Sequence, residues 1–410
     1  MKILYISYDG MTDPLGQSQV IPYLKGLSAK GFQITILSCE KKERFKKYFP
    51  EIKELLLSNN IDWIPLGYTS SPPVFSTIYD VFNILRTSKK LFKTTTFDVV
   101  HCRSYISALA GLKLKKKYNV RFLFDMRGFW ADERVDGNIW NLKNPVFKVI
   151  YNYFKRKETD FFSYADYTIS LTENGKETIH QWASVKNQPI PIEVIPCCAD
   201  VDLFSRQTID ASRQEYFRYL LKIQKDDFVI SYLGSFGTWY MPDEMLWFFN
   251  RMRDKIKHSK FLFITTEKRE TVLTFSKKYN IPDDNILVIS SARKDVPVLL
   301  SLSKLSIFFI KPLFSKKASS PTKQAEAMSM GIPIICNTGI GDTDKIINET
   351  KTGCVIQEFS DIAFDEVIKN IDHLLSISPD EIHNIAAQKF SLESGIEKYY
   401  KVYKNLDSKK

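Results

Sequence analysis

The stretch SSPTKQAEAMSMGIPII, residues 319–335, joins the start of a helix, a glycine turn and a continuous apolar strand. Pro321 suits the first position of a helix, where a missing N–H costs nothing, and Ser320 before it is the predicted N-cap. Lys323 stands where a capping box would have a glutamate, so no reciprocal cap consumes the exposed amides. The pattern therefore predicts a helix start with free N–H groups, hydroxyls and a cation, which suits a phosphate.

Glu326 belongs to the same predicted site. It follows Lys323 by three residues and Thr322 by four, so all three lie on one face of the helix. A carboxylate there can accept hydrogen bonds from a ribose whose phosphates rest at the helix start. The alternative is a well-capped helix with Glu326 on the surface. The candidate nucleotide site thus comprises Ser319, Ser320, Pro321, Thr322, Lys323 and Glu326.

Length and composition set limits on the class of protein. A chain of 410 residues is too long for one ordinary core and fits two domains. No apolar run approaches the ~20 residues of a membrane span. The opening MKILYISYDG lacks the basic start and cleavage site of a signal peptide, so we expect a cytoplasmic protein. The six cysteines show no C-x-x-C spacing, which favours reduced thiols over disulfides or a metal site.

The net charge of +11 indicates an acidic partner, which could be nucleic acid, an anionic lipid surface or a phosphorylated substrate. Three clusters mix cations with aromatic residues, at residues 41–49, 89–93 and 113–118. Each alone is also consistent with a solvated helix face. Because all three fall in the first third of the chain, together they predict a patch that binds an anionic membrane surface.

Apolar runs alternate with segments of helical period throughout the chain. Many of the runs are continuously apolar, as in parallel strands covered on both faces. The sequence therefore predicts two doubly wound α/β domains, at residues 1–205 and 206–390, and a last helical segment at 391–410 with no strand after it. The strand candidates are residues 2–8, 32–38, 98–102, 121–125, 167–171, 192–196, 228–234, 260–266, 285–290, 305–311, 332–337 and 353–357.

Two glycine-containing loops that follow predicted strands are further candidates for phosphate contacts. In the first, Gly16, Gln17 and Ser18 open a predicted helix over residues 18–30, with Ser18 as a possible N-cap. In the second, Gly234 and Ser235 follow the first strand of the second domain. For the first loop taken alone, a plain turn is the better explanation. Neither forms a full G-x-G-x-x-G motif, which disfavours a dehydrogenase.

Ionisable residues follow two strands of the first domain, where open α/β sheets hold their sites. His101 and Arg103 end one strand, and Arg127 follows another, so these three are the candidate catalytic residues. A surface ion-pair network or a satisfied core histidine are the alternatives. Two D-x-D patterns, at 200–202 and 342–344, match a metal-binding motif of sugar transferases, but turns or helix starts explain them better, and we predict no metal.

Together these pieces resemble a GT-B glycosyltransferase of the retaining family 4, over nearly the whole chain. IPCCADVDLF, residues 195–204, stands where the family shows I-P-N-G-V-D…F, and EAMSMGIPII, residues 326–335, is its helix–G-x-P–strand run. The final helix suits the family's C-terminal helix, which crosses back to the first domain. The resemblance implies two Rossmann-like domains facing a cleft, a nucleotide-sugar donor held by the second domain and an acceptor on the first.

The resemblance also assigns roles to residues. Glu326 matches the second glutamate of the E-x7-E pattern, which holds the ribose, and residues 319–323 match the loop whose amides bind the diphosphate. The first glutamate of the pattern falls at Ala318, and the catalytic histidine of H-x-H falls at Arg103. The arginine and lysine usual after the second domain's first strand fall at Ser235 and Tyr240. This divergent branch would draw the missing charges from Lys323, Arg127, Arg103, Arg293 or Lys311.

The resulting hypothesis is a metal-independent, retaining transferase that uses a UDP- or GDP-linked sugar as substrate and needs no cofactor. It would act on a lipid-linked or glycan acceptor in cell-surface polysaccharide biosynthesis, at the cytoplasmic face of an anionic membrane. Three alternatives remain open. They are another GT-B enzyme such as a nucleotide-sugar epimerase or a phosphorylase, a basic nucleic-acid-binding protein, for which no motif is present, and an inactive sugar-nucleotide binder.

Overall fold

The computed structural model describes residues 1–182, 184–185 and 189–408, so the last two residues of the predicted segment 391–410 lie outside it. The chain forms two compact units. Unit 1 comprises Met1–Pro196 together with the segment that starts at Leu392, and unit 2 comprises Cys197–Ser391. No helix in the described part of the chain is long and apolar enough to cross a membrane.

Each unit is built on one sheet, and the order of the strands along the chain differs from their order in the sheet. Unit 1 has seven strands in the order β3-β2-β1-β4-β5-β6-β7, and unit 2 has six in the order β10-β9-β8-β11-β12-β13. The strands are β1 Lys2–Ser7, β2 Gln33–Glu40, β3 Ile61–Gly67, β4 Val99–Arg103, β5 Arg121–Asp125, β6 Tyr167–Ser170, β7 Ile192–Val194, β8 Phe228–Leu233, β9 Ser259–Ile264, β10 Ile286–Ile289, β11 Leu305–Phe308, β12 Ile334–Asn337 and β13 Gly353–Ile356.

Helices connect the strands. The helices are α1 Pro14–Gln19, α2 Ile21–Ala29, α3 Lys42–Leu57, α4 Phe75–Thr94, α5 Ser104–Tyr118, α6 Trp130–Asp136, α7 Pro145–Tyr164, α8 Glu173–His180, α9 Ala211–Leu220, α10 Pro242–Lys255, α11 Arg269–Lys277, α12 Val296–Leu300, α13 Thr322–Ser329, α14 Thr343–Thr350, α15 Asp361–Lys369, α16 Ile371–Ser376, α17 Pro379–Phe390 and α18 Leu392–Asp407. Short 3-10 segments lie at Arg206–Thr208, Asp283–Asn285, Arg293–Asp295 and Phe314–Ala318.

Both sheets are parallel, which confirms the predicted pair of doubly wound α/β domains. Apolar side chains cover the two faces of the unit 2 sheet. Ile230 and Tyr232 of β8 enter one hydrophobic cluster, whereas Val229, directly before Ile230, enters another. Because alternate residues of a strand point to opposite faces, a strand buried on both sides is apolar at most positions, which explains the nearly continuous apolar run of β8.

The strand β3 was not predicted from the sequence. It pairs only with β2 and forms one edge of the unit 1 sheet. Its run IDWIPLG carries Asp62 and Pro65. Proline has no N–H to donate to a neighbouring strand and is therefore tolerated in an edge strand. This sequence would not suit the centre of a sheet, but it can form β3 at the edge.

The boundary between the units follows Pro196, whereas the sequence placed it after residue 205. The segment after Pro196 packs within unit 2. Ala199 bridges to Ser391, and Phe204 is buried in the cluster that contains Phe217. The helix α18 packs on α2 of unit 1, where Ile396 fills the space beside Gly26.

The predicted helix over residues 18–30 is two helices, α1 and α2, that meet at Val20. Pro22 explains the break, because a proline inside a helix removes one hydrogen bond and clashes with the carbonyl four residues earlier. Ser18 lies inside α1 and donates to the Pro14 carbonyl, so its prediction as an N-cap is wrong. Gly31 follows α2 with a φ of +92°, the left-handed conformation expected at a helix end.

The loop before α1 is held by a buried carboxylate. Glu40, at the end of β2, accepts hydrogen bonds from the amides of Met11 and Thr12 at 2.7 and 3.1 Å. Gly16 packs directly on this loop, since a Cβ there would lie 2.2 Å from the Gly10 carbonyl oxygen. The amide of Gln17 donates to the Asp13 carbonyl. Gly16 is therefore required by close packing, and its predicted contact with a phosphate stays a prediction.

Gly16→Ala should lower the free energy of unfolding by about 1–3 kcal/mol, because the new methyl group would meet backbone atoms that cannot move aside. The measurement is urea unfolding of the protein without ligand. Gly67→Ala is the matched control, because no atom lies within 4 Å of a Cβ at Gly67. Equal stability of the two variants would refute the packing role of Gly16.

Candidate functional site

The helix α13 begins one residue later than its sequence predicted. It starts at Thr322, with Pro321 in the N-cap position and no side chain capping it. The predicted N-cap, Ser320, is wrong, because its hydroxyl accepts a hydrogen bond of 3.1 Å from the Cys197 amide instead. The hydroxyl oxygen that would have capped the helix therefore bonds to Cys197, the first residue of unit 2, instead.

Two backbone amides at this helix start have no protein acceptor. The amide of Ser319 donates to Lys316, and that of Gln324 donates to Pro321. Within the described ranges, the amides of Thr322 and Lys323 donate to nothing. A helix start with unused N–H groups carries a partial positive charge and favours an anion.

The side chain of Lys323 is buried beside these amides. Its Nζ donates to the Tyr232 hydroxyl at 3.1 Å and lies 3.6 Å from the centre of the Tyr240 ring. Gly234, directly after β8, leaves the space for this ammonium group, because a Cβ there would lie 2.7 Å from Nζ. Ser235 fixes the position of the Tyr232 hydroxyl, since its carbonyl oxygen accepts a hydrogen bond from that hydroxyl.

Burial lowers the pKa of Lys323 well below its usual value, and Glu326 opposes this shift only in part. Tyrosine rings and a hydroxyl stabilise an ammonium less than a carboxylate does. An anion bound at the start of α13 would supply the missing negative charge and raise the pKa of Lys323 again. A bound anion would therefore stabilise the charged form of Lys323 in this site.

Glu326 is buried, so the alternative of a surface glutamate is wrong. Its Oε1 accepts a hydrogen bond of 2.8 Å from Arg293, whose guanidinium lies over the Phe204 ring. Burial raises the pKa of Glu326, while Arg293 and Lys323 lower it. No described residue donates to its second oxygen, Oε2, which leaves that oxygen for a ligand hydroxyl.

Sequence reasoning missed the aromatic surroundings of the two lysines near this helix. Lys316 is buried with its Nζ 4.1 Å from the centre of the Trp239 ring. In the sequence, SKKASS reads as a solvated loop, and nothing local indicates that one of its lysines is buried. Tyr240 was identified only as a departure from a family pattern, yet its ring is one wall around Lys323. Lys311, named as a possible source of charge, is exposed.

The D-x-D pattern at 200–202 lies at a turn, and the one at 342–344 forms the start of α14. Asp200 accepts a hydrogen bond from the Leu203 amide, and Asp344 accepts one from the Thr338 hydroxyl at 2.7 Å. Over the part of the chain that the structure describes, no three His, Cys, Asp or Glu residues come together as metal ligands.

In unit 1, the three candidate catalytic residues surround one buried carboxylate, that of Asp125. Parallel pairing places Arg103 beside Asp125 in the sheet. His101 Nε2 and Arg103 Nη1 lie 3.5 and 4.0 Å from Asp125 Oδ2, and Arg127 Nη1 lies 3.9 Å from Oδ1. From α18, the Tyr399 hydroxyl donates to Oδ2 at 3.0 Å.

His101 is fully enclosed. Its Nδ1 lies 2.7 Å from the Tyr403 hydroxyl, and burial lowers the pKa of the imidazole although Asp125 opposes this. The ring is thus hydrogen-bonded at Nδ1, whereas Nε2 faces Asp125 Oδ2 at 3.5 Å and makes no hydrogen bond among the described residues. The geometry supports a buried histidine that positions Asp125, and a direct part in catalysis stays a prediction.

The two arginines lie at conformationally unusual points of the chain. Arg127 has a φ of +57°, and Ser104, directly after Arg103, has a φ of +65°. Non-glycine residues adopt this region at a cost, and they do so at active sites as well as at helix ends. Arg103 Nε is buried without a hydrogen bond among the described residues and lies 3.5 Å from Asp9.

The pKa of Asp125 is raised by burial but lowered further by Arg127, His101 and Arg103, to about 2. Its charge therefore stabilises unit 1 above pH ~4, and about 2 kcal/mol of this stabilisation should be lost as the pH falls towards 2. Asp125→Asn should lower the free energy of unfolding at pH 7 by about 3 kcal/mol, because it removes the buried carboxylate that the two arginines share.

The measurement is denaturant unfolding at pH 7, 4 and 3, with Asp62→Asn, an exposed position in the same unit, as control. The Asp125→Asn variant should lose less stability between pH 4 and 3 than the wild type. Parallel losses in both proteins would show that Asp125 is not the group that titrates.

Residues 18–203 match the family Glycosyltransferase Family 4, and residues 214–385 match the family Glycosyl transferases group 1. A comparison with curated protein sequences finds no match.

Solved structures share the fold over the whole chain. Sucrose-phosphate synthase from Thermosynechococcus elongatus superposes with a TM-score of 0.75 at 14% identity and covers 100% of both chains. HepE from Anabaena, in complex with UDP and glucose, gives a TM-score of 0.70 at 12% identity and covers 98% of this chain and 99% of its own. WaaG, a glycosyltransferase involved in lipopolysaccharide biosynthesis, gives 0.69 at 14% identity, with 98% and 99% covered.

At these sequence identities the solved structures show the fold alone, whereas the two family matches identify the class of protein. One family covers most of the first unit and the other covers most of the second. Both sheets of the chain are parallel, and the matched structures share its fold. The chain therefore belongs to the GT-B glycosyltransferases of the family 4 type.

Proposed function

We propose that the protein transfers a sugar, with retention of configuration and without a metal ion, from a UDP- or GDP-linked donor to a lipid-linked or glycan acceptor in cell-surface polysaccharide biosynthesis. The observation that carries the proposal is the start of α13. There, the unused amides of Thr322 and Lys323 adjoin a buried ammonium group, and the carboxylate of Glu326 lies one turn further along.

The donor nucleotide fits these groups by charge and by hydrogen bonding. The diphosphate accepts from the amides of Thr322 and Lys323 and neutralises the Lys323 ammonium. The ribose hydroxyls donate to Glu326, whose Oε1 accepts a hydrogen bond from Arg293 that holds the carboxyl group in one orientation. The backbone at Gly234 and Ser235, which surrounds Lys323, is the second proposed contact with the phosphates.

The reaction needs charge stabilisation at the leaving group more than a strong base. The bond between the anomeric carbon and the diphosphate oxygen breaks, and the acceptor oxygen bonds to the same face of that carbon. The acceptor proton passes to the departing diphosphate. Amides and a cation fixed around the diphosphate stabilise the charge that develops there, and fixed groups of this kind lower the barrier most.

The acceptor is assigned to unit 1, where Arg103 and Arg127 are the proposed contacts and His101 positions Asp125 behind them. A lipid-linked acceptor requires the enzyme to work at a membrane, and a positively charged unit 1 suits the anionic cytoplasmic face. Two proteins of the same fold support the donor and the pathway, since HepE was solved in complex with UDP and glucose and WaaG is involved in lipopolysaccharide biosynthesis.

Calorimetric titration with UDP and then GDP, with and without a chelator, tests the donor site. We expect one of the two to bind, with no loss on chelation. Glu326→Gln should weaken binding by roughly 10- to 100-fold, the range expected when a hydrogen bond to a charged group is lost. Lys323→Met should have a similar effect, because it removes the ammonium next to the phosphates.

Glu270→Ala, an exposed glutamate of the same unit, is the control and should bind as the wild type does. Thermal unfolding of each variant separates loss of binding from loss of fold, since Arg293 loses its partner when Glu326 is changed. Full affinity and turnover in Glu326→Gln would overturn the donor site.

Product analysis tests the reaction class. With a donor sugar and an acceptor, we expect free nucleoside diphosphate and a new glycosidic bond with the anomeric configuration of the donor, read by NMR. Incubation of the donor without an acceptor should leave its sugar unchanged. A changed sugar that is still attached to the nucleotide would instead identify an epimerase.

A further inference from the structure

The outer face of α4 in unit 1 combines exposed apolar side chains with cations. In its first half, Phe75, Ile78, Tyr79 and Phe82 are between 56% and 71% exposed. Their spacing of three and four residues puts them on one face of the helix. Exposed apolar side chains grouped in this way mark a surface that binds something.

The same face continues into the second half of the helix with cations alone. Arg86, Lys89, Lys90 and Lys93 are all exposed and follow the helical spacing of the apolar residues. The one acidic residue of α4, Asp80, is buried. The exposed face therefore has two apolar turns, then basic turns, and no negative charge.

Asp80 also fixes where the apolar half lies. Its Oδ2 accepts hydrogen bonds from the Tyr8 hydroxyl at 3.0 Å and from the Thr69 amide at 3.1 Å. Tyr8 directly follows the last residue of β1, and Thr69 lies just beyond β3. The apolar half of α4 is thus held at the edge where the parallel strands end, the edge that carries Arg103 and Arg127.

A second basic cluster adjoins the cationic half. Phe92 of α4 stacks on Tyr118 at the end of α5, with ring centres 4.5 Å apart. The end of α5 carries the exposed lysines Lys113, Lys116 and Lys117. Two of the three basic clusters in the sequence therefore meet in space.

We propose that α4 docks unit 1 onto an anionic lipid bilayer, with its apolar half in the interfacial region and its lysines on the acidic headgroups. Apolar burial and attraction to anionic lipids are the two terms that hold an interfacial helix. The inference deepens the membrane part of the proposed function. It rests on no residue of the donor site.

Charge decides among the partners that could cover this face. A second copy of the chain would bring the same four cations across a two-fold contact and no carboxylate on this face to pair with them. Nucleic acid would match the cations but would leave the apolar turns without a partner. An anionic bilayer satisfies both halves.

The test is co-sedimentation of the full chain with vesicles of phosphatidylcholine alone or mixed with phosphatidylglycerol. We expect binding to the mixed vesicles and little to the neutral ones. Lys89→Gln/Lys90→Gln/Lys93→Gln should weaken binding by on the order of a hundredfold, at about fivefold for each lysine. Phe75→Ser/Phe82→Ser should weaken it at least tenfold, because two large apolar side chains no longer leave water.

Matched controls exist elsewhere on the surface. Lys268→Gln/Lys277→Gln/Lys369→Gln removes three exposed cations from unit 2, outside the basic clusters of unit 1. Tyr219→Ser/Ile362→Ser removes two exposed apolar side chains from unit 2. Both controls should bind the mixed vesicles within about twofold of the wild type, and all variants should keep nucleotide affinity, which separates this proposal from that of the donor site.

Three results would overturn the inference. The first is no binding to the mixed vesicles, or equal loss in the α4 variants and their controls. The second is a concentration-dependent dimer in sedimentation velocity that Phe75→Ser/Phe82→Ser abolishes, which would assign the face to a second copy. The third is retention on DNA that depends on the α4 lysines while the vesicles are not bound.

Discussion

Every strand pair within the two sheets is parallel, and this constraint assembles both groups of candidate residues. Because parallel strands end at one edge, residues that are distant in the sequence meet there. In unit 1, pairing of β4 with β5 brings Arg103 beside Asp125. In unit 2, Tyr232 at the end of β8 bonds to Lys323, 91 positions away in the sequence, on the helix that follows β11. Neither group could form in an antiparallel meander, whose strands end at alternate edges.

The residues around Asp125 and those around Lys323 differ in how far they compensate a buried charge. Asp125 has two arginines and a histidine around it, and the pKa of its carboxyl is held at about 2 despite burial. Lys323 has tyrosine rings and one hydroxyl, and burial lowers the pKa of its ammonium well below the usual value. A buried charge that is already compensated stabilises the fold. One that lacks a counter-ion favours a ligand that supplies it, and this difference is why the phosphates are assigned to unit 2.

The sequence was sufficient wherever one local property decided the structure. Apolar runs, many of them continuous, predicted β1, β2 and every strand from β4 to β13, since a strand covered on both faces is apolar at most positions. The prediction failed at β3, where an edge strand accepts Pro65, and at the break between α1 and α2, where the effect of Pro22 was overlooked.

In the candidate site, too, the features decided within one element could be predicted and those that join several elements could not. Lys323 and Glu326 could be found because helical spacing puts them on one face of α13. The pair of Glu326 with Arg293 and the burial of Lys316 against Trp239 could not, because each joins residues from different elements. Ser320 shows the limit most clearly. Its predicted cap is locally sound, and a bond from the distant Cys197 amide replaces it.

Net charge alone does not locate a binding surface in this protein. In two of the three basic clusters, several lysines already contact groups of the protein, as Lys47 lies over Tyr48 and Lys115 pairs with Asp166. The helix α4 differs because its one carboxylate, Asp80, points inward. That carboxylate anchors the helix to the edge of the sheet and leaves the outer face without negative charge. The contact that fixes α4 in the fold therefore also gives its surface a single sign of charge.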